Sequence, residues 1–263
     1  MPSEVLSTIE VARELKRLRQ INPLIHCLTN EVVQEITANV LLASGASPAM
    51  VVAQDEVESF ASIASAILVN LGTPYESRLN AMRLAVKVAN QVGIPWVLDP
   101  VAAGVMPWRN TIIQEFVSLK PTVIRGNASE ILYLAGVGQG GKGVDSTDSS
   151  QVALEPAIQL AQKTGCIVAV TGKVDYITDG KRTLEAHGGH PLITKVVGTG
   201  CSLSALIAAF LVKSPDPLIS VASCCAFVNK ASELATEQSA GPGSFHTHYL
   251  DMLYRLTPED FTL

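Results

Sequence analysis

The chain is predicted to fold as an α/β protein with a mostly parallel central sheet and helices on both faces, three layers in all. Three observations predict this. Short β-branched or apolar runs alternate with helical periods along the 263 residues. Hydrophobic residues make up 48% of the chain, charged residues 16% and aromatics 5%, which suits strands buried on both faces. Residues able to do chemistry follow the apolar runs directly, where open parallel sheets bind their ligands.

The elements follow in order. Residues 1–20 carry Glu4, Glu10 and Glu14 with no central apolar block. They read as an amphipathic helix on Val5, Ile9, Ala12 and Leu15 rather than a signal peptide. Residues 23–27 form a strand, and Thr29 or Asn30 caps a helix over 31–44. A strand over 48–53 precedes a helix that Asp55 caps and that runs to about Ser65. The apolar run 66–70 leads to a long helix over 74–91, and the strand 95–99 ends in Asp99. A short helix over 110–119 is followed by the strand 122–125 and a helix over 128–135. Residues 136–150, rich in Gly, Ser and Asp, form the longest polar loop. After it come a helix to Lys163, the strand 166–171, and a hairpin of 175–177 with 182–186 turned at Asp179-Gly180. Then Val196-Val197 runs into Gly198-Thr199-Gly200, and the tail is helical over 201–212, 217–239 and 245–256. No linker divides the chain, so 1–263 reads as a single domain.

Net charge is −5 with no block of Lys or Arg. Nucleic acid and anionic membrane are therefore not expected as partners. No segment is expected to span a membrane without polar interruption. The five cysteines are odd in number and scattered, which fits a reduced, cytoplasmic setting.

The Val196-Val197-Gly198-Thr199-Gly200-Cys201 stretch is the strongest chemical signal. Two glycines let backbone approach a bound group, and the free N–H groups of the following helix attract phosphate. Cys201 on the first turn either handles a proton, its thiolate favoured by the helix terminus, or is a small buried residue. Asp99 in Leu98-Asp99-Pro100-Val101 either holds magnesium or caps a loop. In Arg125-Gly126-Asn127-Ala128-Ser129-Glu130, Arg125 suits a phosphate charge and Glu130 a magnesium–water network. A capping box is the alternative for Glu130. The glycines of 136–143 nearly match a P-loop and satisfy GxGxxG, but a helix precedes them where a strand is required. His187, His190, His246 and His248 are assigned no metal.

Taken together, these segments resemble the ribokinase-like superfamily and, more narrowly, the hydroxyethylthiazole kinases of thiamin salvage. The likeness runs from about Pro23 to Gly243 and also draws on His26-Cys27-Leu28-Thr29-Asn30, Thr37-Ala38-Asn39, Gly45-Ala46-Ser47-Pro48-Ala49-Met50 and Val170-Thr171-Gly172. It implies transfer of the ATP γ-phosphoryl group to the hydroxyl of 4-methyl-5-(2-hydroxyethyl)thiazole. By the same resemblance Met50 and Gly198 contact the thiazole alcohol with Asn30 nearby, and Arg125 and Thr171 contact ATP. Asp99 and Glu130 belong to an Mg²⁺ network, and Gly198, Thr199, Gly200 and Cys201 form the catalytic corner. A homotrimer with interfacial sites is implied too. Most ribokinase-like enzymes carry Asp where this chain has Cys201, whereas the narrower family carries Cys. The competing readings are a kinase for another heterocyclic alcohol, a dehydratase for hydrated nicotinamide nucleotides, and a nucleotide sensor.

Overall fold

The central strands, residues 24–28, 66–70, 96–99 and 167–171, are short and mostly apolar, and they are buried on both faces. The computed structural model describes residues 3–137 and 149–262. Its strands are Glu4–Val5 (β1), Leu24–Leu28 (β2), Ser47–Ala49 (β3), Ala66–Asn70 (β4), Trp96–Asp99 (β5), Val123–Asn127 (β6), Ile167–Thr171 (β7), Asp175–Thr178 (β8) and Thr183–Ala186 (β9). They join in one sheet in the order β1-β9-β8-β7-β6-β5-β4-β2-β3. Neighbours are parallel except β8, which runs antiparallel to β7 and β9.

The helices are Thr8–Ile21 (α1), Gln34–Ser44 (α2), Gln54–Ile63 (α3), Glu76–Val92 (α4), Pro107–Ser118 (α5), Ala128–Leu134 (α6), Ser149–Val152 (α7), Leu154–Thr164 (α8), Thr199–Leu211 (α9), Pro217–Glu237 (α10) and Pro242–Arg255 (α11). Because successive strand residues point to opposite faces, the sheet divides the interior in two. Leu68, Val97, Val123 and Ala169 pack with α1, α2, α9, α10 and α11. Ile67, Val69, Leu98, Ile124 and Val168 pack with α3, α4, α5, α6 and α8. Helix α9 is buried throughout Ser202–Leu211, which is why its sequence shows no polar stripe.

Several expectations are corrected. Val5 and Ile9 are exposed. The buried stripe of α1 is Val11, Ala12, Leu15 and Leu18, and Glu14 lies within it against Arg17 and Ser220. Val5 instead pairs as edge strand β1 beside β9. The strand expected over 48–53 has three residues, and Asp55 does not cap α3: Ala53 holds that position without a side-chain cap. Among the described residues no strand leads directly into Gly198; a 3-10 helix, Pro191–Lys195, and extended Val196 do so. Helix α10 does have the length and composition of a membrane span, and 67% of its most apolar stretch is buried inside the protein. The look-alike phosphate loop falls largely on 138–148, outside the described residues.

Candidate active site

At the carboxyl end of the sheet the strand ends converge on the N-terminus of α9. Asn30 follows β2, Met50 follows β3, Asn70 ends β4, Asp99 ends β5, Arg125 and Asn127 close β6 and Thr171 closes β7. Asn70 pairs with Asp99 in register, and Asn127 with Thr171.

Gly198 takes φ +86°, and a β-carbon there would lie 2.6 Å from Ile36 Cγ2 and 2.9 Å from Val33 Cγ1. Only glycine satisfies both conditions. Helix α9 starts with no side-chain cap, so its first-turn N–H groups carry the positive end of the helix dipole. Thr199 does not cap it either. Its hydroxyl donates back to the Ile193 and Val196 carbonyls at 3.0 and 3.2 Å, tying the incoming chain to the helix. Gly200 lies under Arg125, whose Nη1 would sit 2.9 Å from an added β-carbon. The same guanidinium donates from Nη2 to Thr171 Oγ1.

Behind this corner runs a continuous hydrogen-bonded line. Asn30 Nδ2 donates to Asn70 Oδ1 (2.8 Å) and reaches Cys201 Sγ at 3.6 Å. Asn70 Nδ2 donates to Asp99 Oδ2 (2.8 Å), which also accepts from Ser204 Oγ (2.8 Å). The Asn70 amide is locked, because its oxygen accepts from Gly72 N–H as well. Burial pushes the Asp99 carboxyl up to about 7; Arg125 opposes that rise and Glu130 adds to it. The Cys201 thiol is pushed up to about 11 by burial and by the Asp99 carboxylate. The reading of Cys201 as a thiolate is thereby corrected: burial and the Asp99 carboxylate favour the protonated thiol.

Glu130 performs the capping-box task. Its Oε2 accepts from Asn127 N–H (2.8 Å) while Asn127 Oδ1 accepts from Glu130 N–H (3.0 Å). Its Oε1 also accepts from Ala102 N–H (2.9 Å), anchoring the loop after Asp99. Among the described residues no group of three or more His, Cys, Asp or Glu side chains could hold a metal ion.

A profile of the hydroxyethylthiazole kinase family matches residues 15–259. The chain belongs to the hydroxyethylthiazole kinase family. The hydroxyethylthiazole kinase of Escherichia coli O17:K52:H18 is 53% identical over 259 residues, 98% of this chain and 99% of its own. The solved structure of hydroxyethylthiazole kinase protein from Pyrococcus horikoshii OT3 superposes with a TM-score of 0.87 at 38% identity, covering 94% of this chain and 93% of that one. A ribokinase-like superfamily protein from Enterococcus faecalis V583 matches with a TM-score of 0.71 at 12% identity over 97% of both chains. The fold is ribokinase-like.

In this family member, sequence reasoning missed Asn70, Ser204 and Asp175. Asn70 is the polar end of an otherwise apolar strand, and Ser204 follows Cys201 by three positions, one helical turn. Asp175 is buried, accepts from Gly172 N–H and Asn229 Nδ2 (both 2.9 Å), and fixes the turn after Thr171. Its place in a hairpin concealed it.

Proposed function

We propose that this chain transfers the γ-phosphoryl group of ATP to the hydroxyl of 4-methyl-5-(2-hydroxyethyl)thiazole, a step of thiamin salvage. The observation that carries the reading is the junction of the α9 N-terminus, Arg125 and the Asn30–Asn70–Asp99 line in a member of this kinase family. Met50, Gly198 and Asn30 receive the thiazole alcohol, and Arg125 and Thr171 receive ATP. The first-turn amides of Gly198, Thr199 and Gly200 neutralise charge on the migrating phosphoryl group. Cys201, protonated at neutral pH, offers little thiolate to accept the proton of the alcohol. That is tolerable because a loose phosphoryl-transfer transition state asks for positioning and charge neutralisation rather than early deprotonation.

Magnesium fits the donor chemistry. Asp99 and Glu130 offer hard oxygen ligands, and a cation beside Asp99 would offset the burial that raises its carboxyl. Each Glu130 oxygen already accepts a backbone N–H, so Glu130 would act through water. The ion would supply charge neutralisation for the ATP phosphates.

We further propose one domain over 1–263, a cytoplasmic location, and a homotrimer whose sites lie between subunits, with neither nucleic acid nor membrane as partner. Exposed Val32 and Val197, each one residue from the Val33–Gly198 contact, support an apolar rim that a second subunit covers.

The test mixes purified protein, ATP, Mg²⁺ and the thiazole alcohol and seeks the phosphate ester by mass. The reading is lost if ADP forms only with a pyrimidine or pyridoxal alcohol, or only with a hydrated nicotinamide nucleotide.

A further inference from the structure

His26 sits in the middle of β2, fully buried, paired in register with Ala49 of β3 and Ile67 of β4. Backbone pairing between β2 and β3 ends at Ala49, so Met50 and Val51 lie just beyond the sheet. Helix α3 does not begin until Gln54 and has no side-chain cap. The imidazole bridges this gap: Nε2 lies 2.7 Å from the Val51 carbonyl oxygen. A carbonyl only accepts, so Nε2 carries the hydrogen. The edge of Phe60 from α3 meets the ring at 5.0 Å and 73°, which fixes its plane. Among the described residues no other side chain hydrogen-bonds residues 50–52.

We infer that His26 is a positioning residue for the acceptor alcohol, clamping the Val51 carbonyl through Nε2–H and thereby setting where Met50 meets the thiazole. The inference rests on the proposed function, which makes Met50 an acceptor contact. His26 lies on β2, separated from Arg125 on β6 by β4 and β5 in the strand order, away from the proposed nucleotide contacts. Burial lowers its pKa, which keeps the ring neutral and the Nδ1 lone pair unprotonated, in keeping with Nδ1 being buried without a partner. The neutral donor is therefore the working state of the clamp.

The isosteres separate the two ring nitrogens. His26→Gln carries an amide N–H toward the Nε2 position, His26→Asn only toward the Nδ1 position, and His26→Phe fills the space with no donor. Each variant is assayed for KM of the thiazole alcohol, KM of ATP and kcat, and titrated calorimetrically with the alcohol alone. His26→Phe and His26→Asn should weaken acceptor binding and raise acceptor KM about tenfold, roughly the worth of one hydrogen bond, with ATP KM and kcat nearly unchanged. His26→Gln should recover most of that loss. Should His26→Phe fail to fold, the Gln and Asn pair carries the comparison alone. An unchanged acceptor KM, or acceptor and ATP KM rising together in every variant, overturns the inference and marks His26 as purely structural. A parent protein that neither binds nor phosphorylates the thiazole overturns the proposed function itself, and this inference with it.

Discussion

The Cys201 thiol is where two physical effects of opposite sign meet. Burial and the Asp99 carboxylate raise its pKa, while Asn70, Arg125 and Asn30 oppose the rise without cancelling it. Cys201→Ala should therefore slow turnover only moderately, by about 10- to 100-fold, and Cys201→Asp should keep activity or raise it. Abrupt loss in the Ala variant with ATP binding intact would contradict this. Since the other four cysteines are buried, iodoacetamide labelling reports Cys201. Its rate should climb about tenfold per pH unit from 7 to 9.5 without a plateau. Asp99 yields a stability prediction. Its carboxyl titrates at about 7 in the folded chain, above the ordinary aspartate value of 3.8, so the folded state binds more protons between those values. Stability attributable to Asp99 is full below about pH 4 and is lost as pH rises through about 7, at ~1.4 kcal/mol for each pH unit crossed. In chelator, Asp99→Asn should be more stable than the parent at pH 8 by urea melt, and inactive as a kinase. Equal stability at pH 8 would mean that Arg125 compensates the buried charge in full. Residues in glycine- or proline-marked motifs, such as Gly198 and Asp99, were legible in the sequence. Asn70 and Ser204 were not, because one polar residue in an apolar run has no motif, only partners.

At the level of elements, the local signals that succeeded were those with short-range chemistry. Asn127 and Glu130 form the capping box the sequence displays, and Asn30 caps the 3-10 turn Glu31–Val33. Asn127→Ala should cost about 1 kcal/mol of stability and release the turn that presents Arg125, raising ATP KM more than acceptor KM. Gly198→Ala combines left-handed backbone with a 2.6 Å contact to Ile36. It should destabilise by about 2–4 kcal/mol and reduce kcat/KM at least tenfold, roughly the loss of one first-turn amide contact. A calorimetric melt and steady-state kinetics check both. The signals that misled were patterns without a partner in view. Val196-Val197 is β-branched, yet among the described residues no strand pairs with it. Ile9 continues a helical period but faces solvent, because the packing face of α1 is set by where α10 lies.

For the whole molecule, alternating short strands and helices specified layers and a parallel sheet, since only that arrangement buries strands on both faces. The antiparallel β8 was visible through its hairpin turn. Strand order was not visible, for it depends on long-range pairings such as β2 between β3 and β4. Assembly belongs to this scale too. Sedimentation should report a three-chain mass, and Val32→Asp with Val197→Asp should shift it to smaller species and weaken thiazole phosphorylation. An active monomer would sink the interfacial site. The sheet also keeps two oily interiors apart: Met50 and Cys201 rest on one, and the Ala128, Ile131 and Leu134 of the Glu130-bearing helix pack in the other. A cavity cut beneath Met50 and Cys201 should thus leave the opposite oily layer, and the seat of the Glu130-bearing helix, undisturbed.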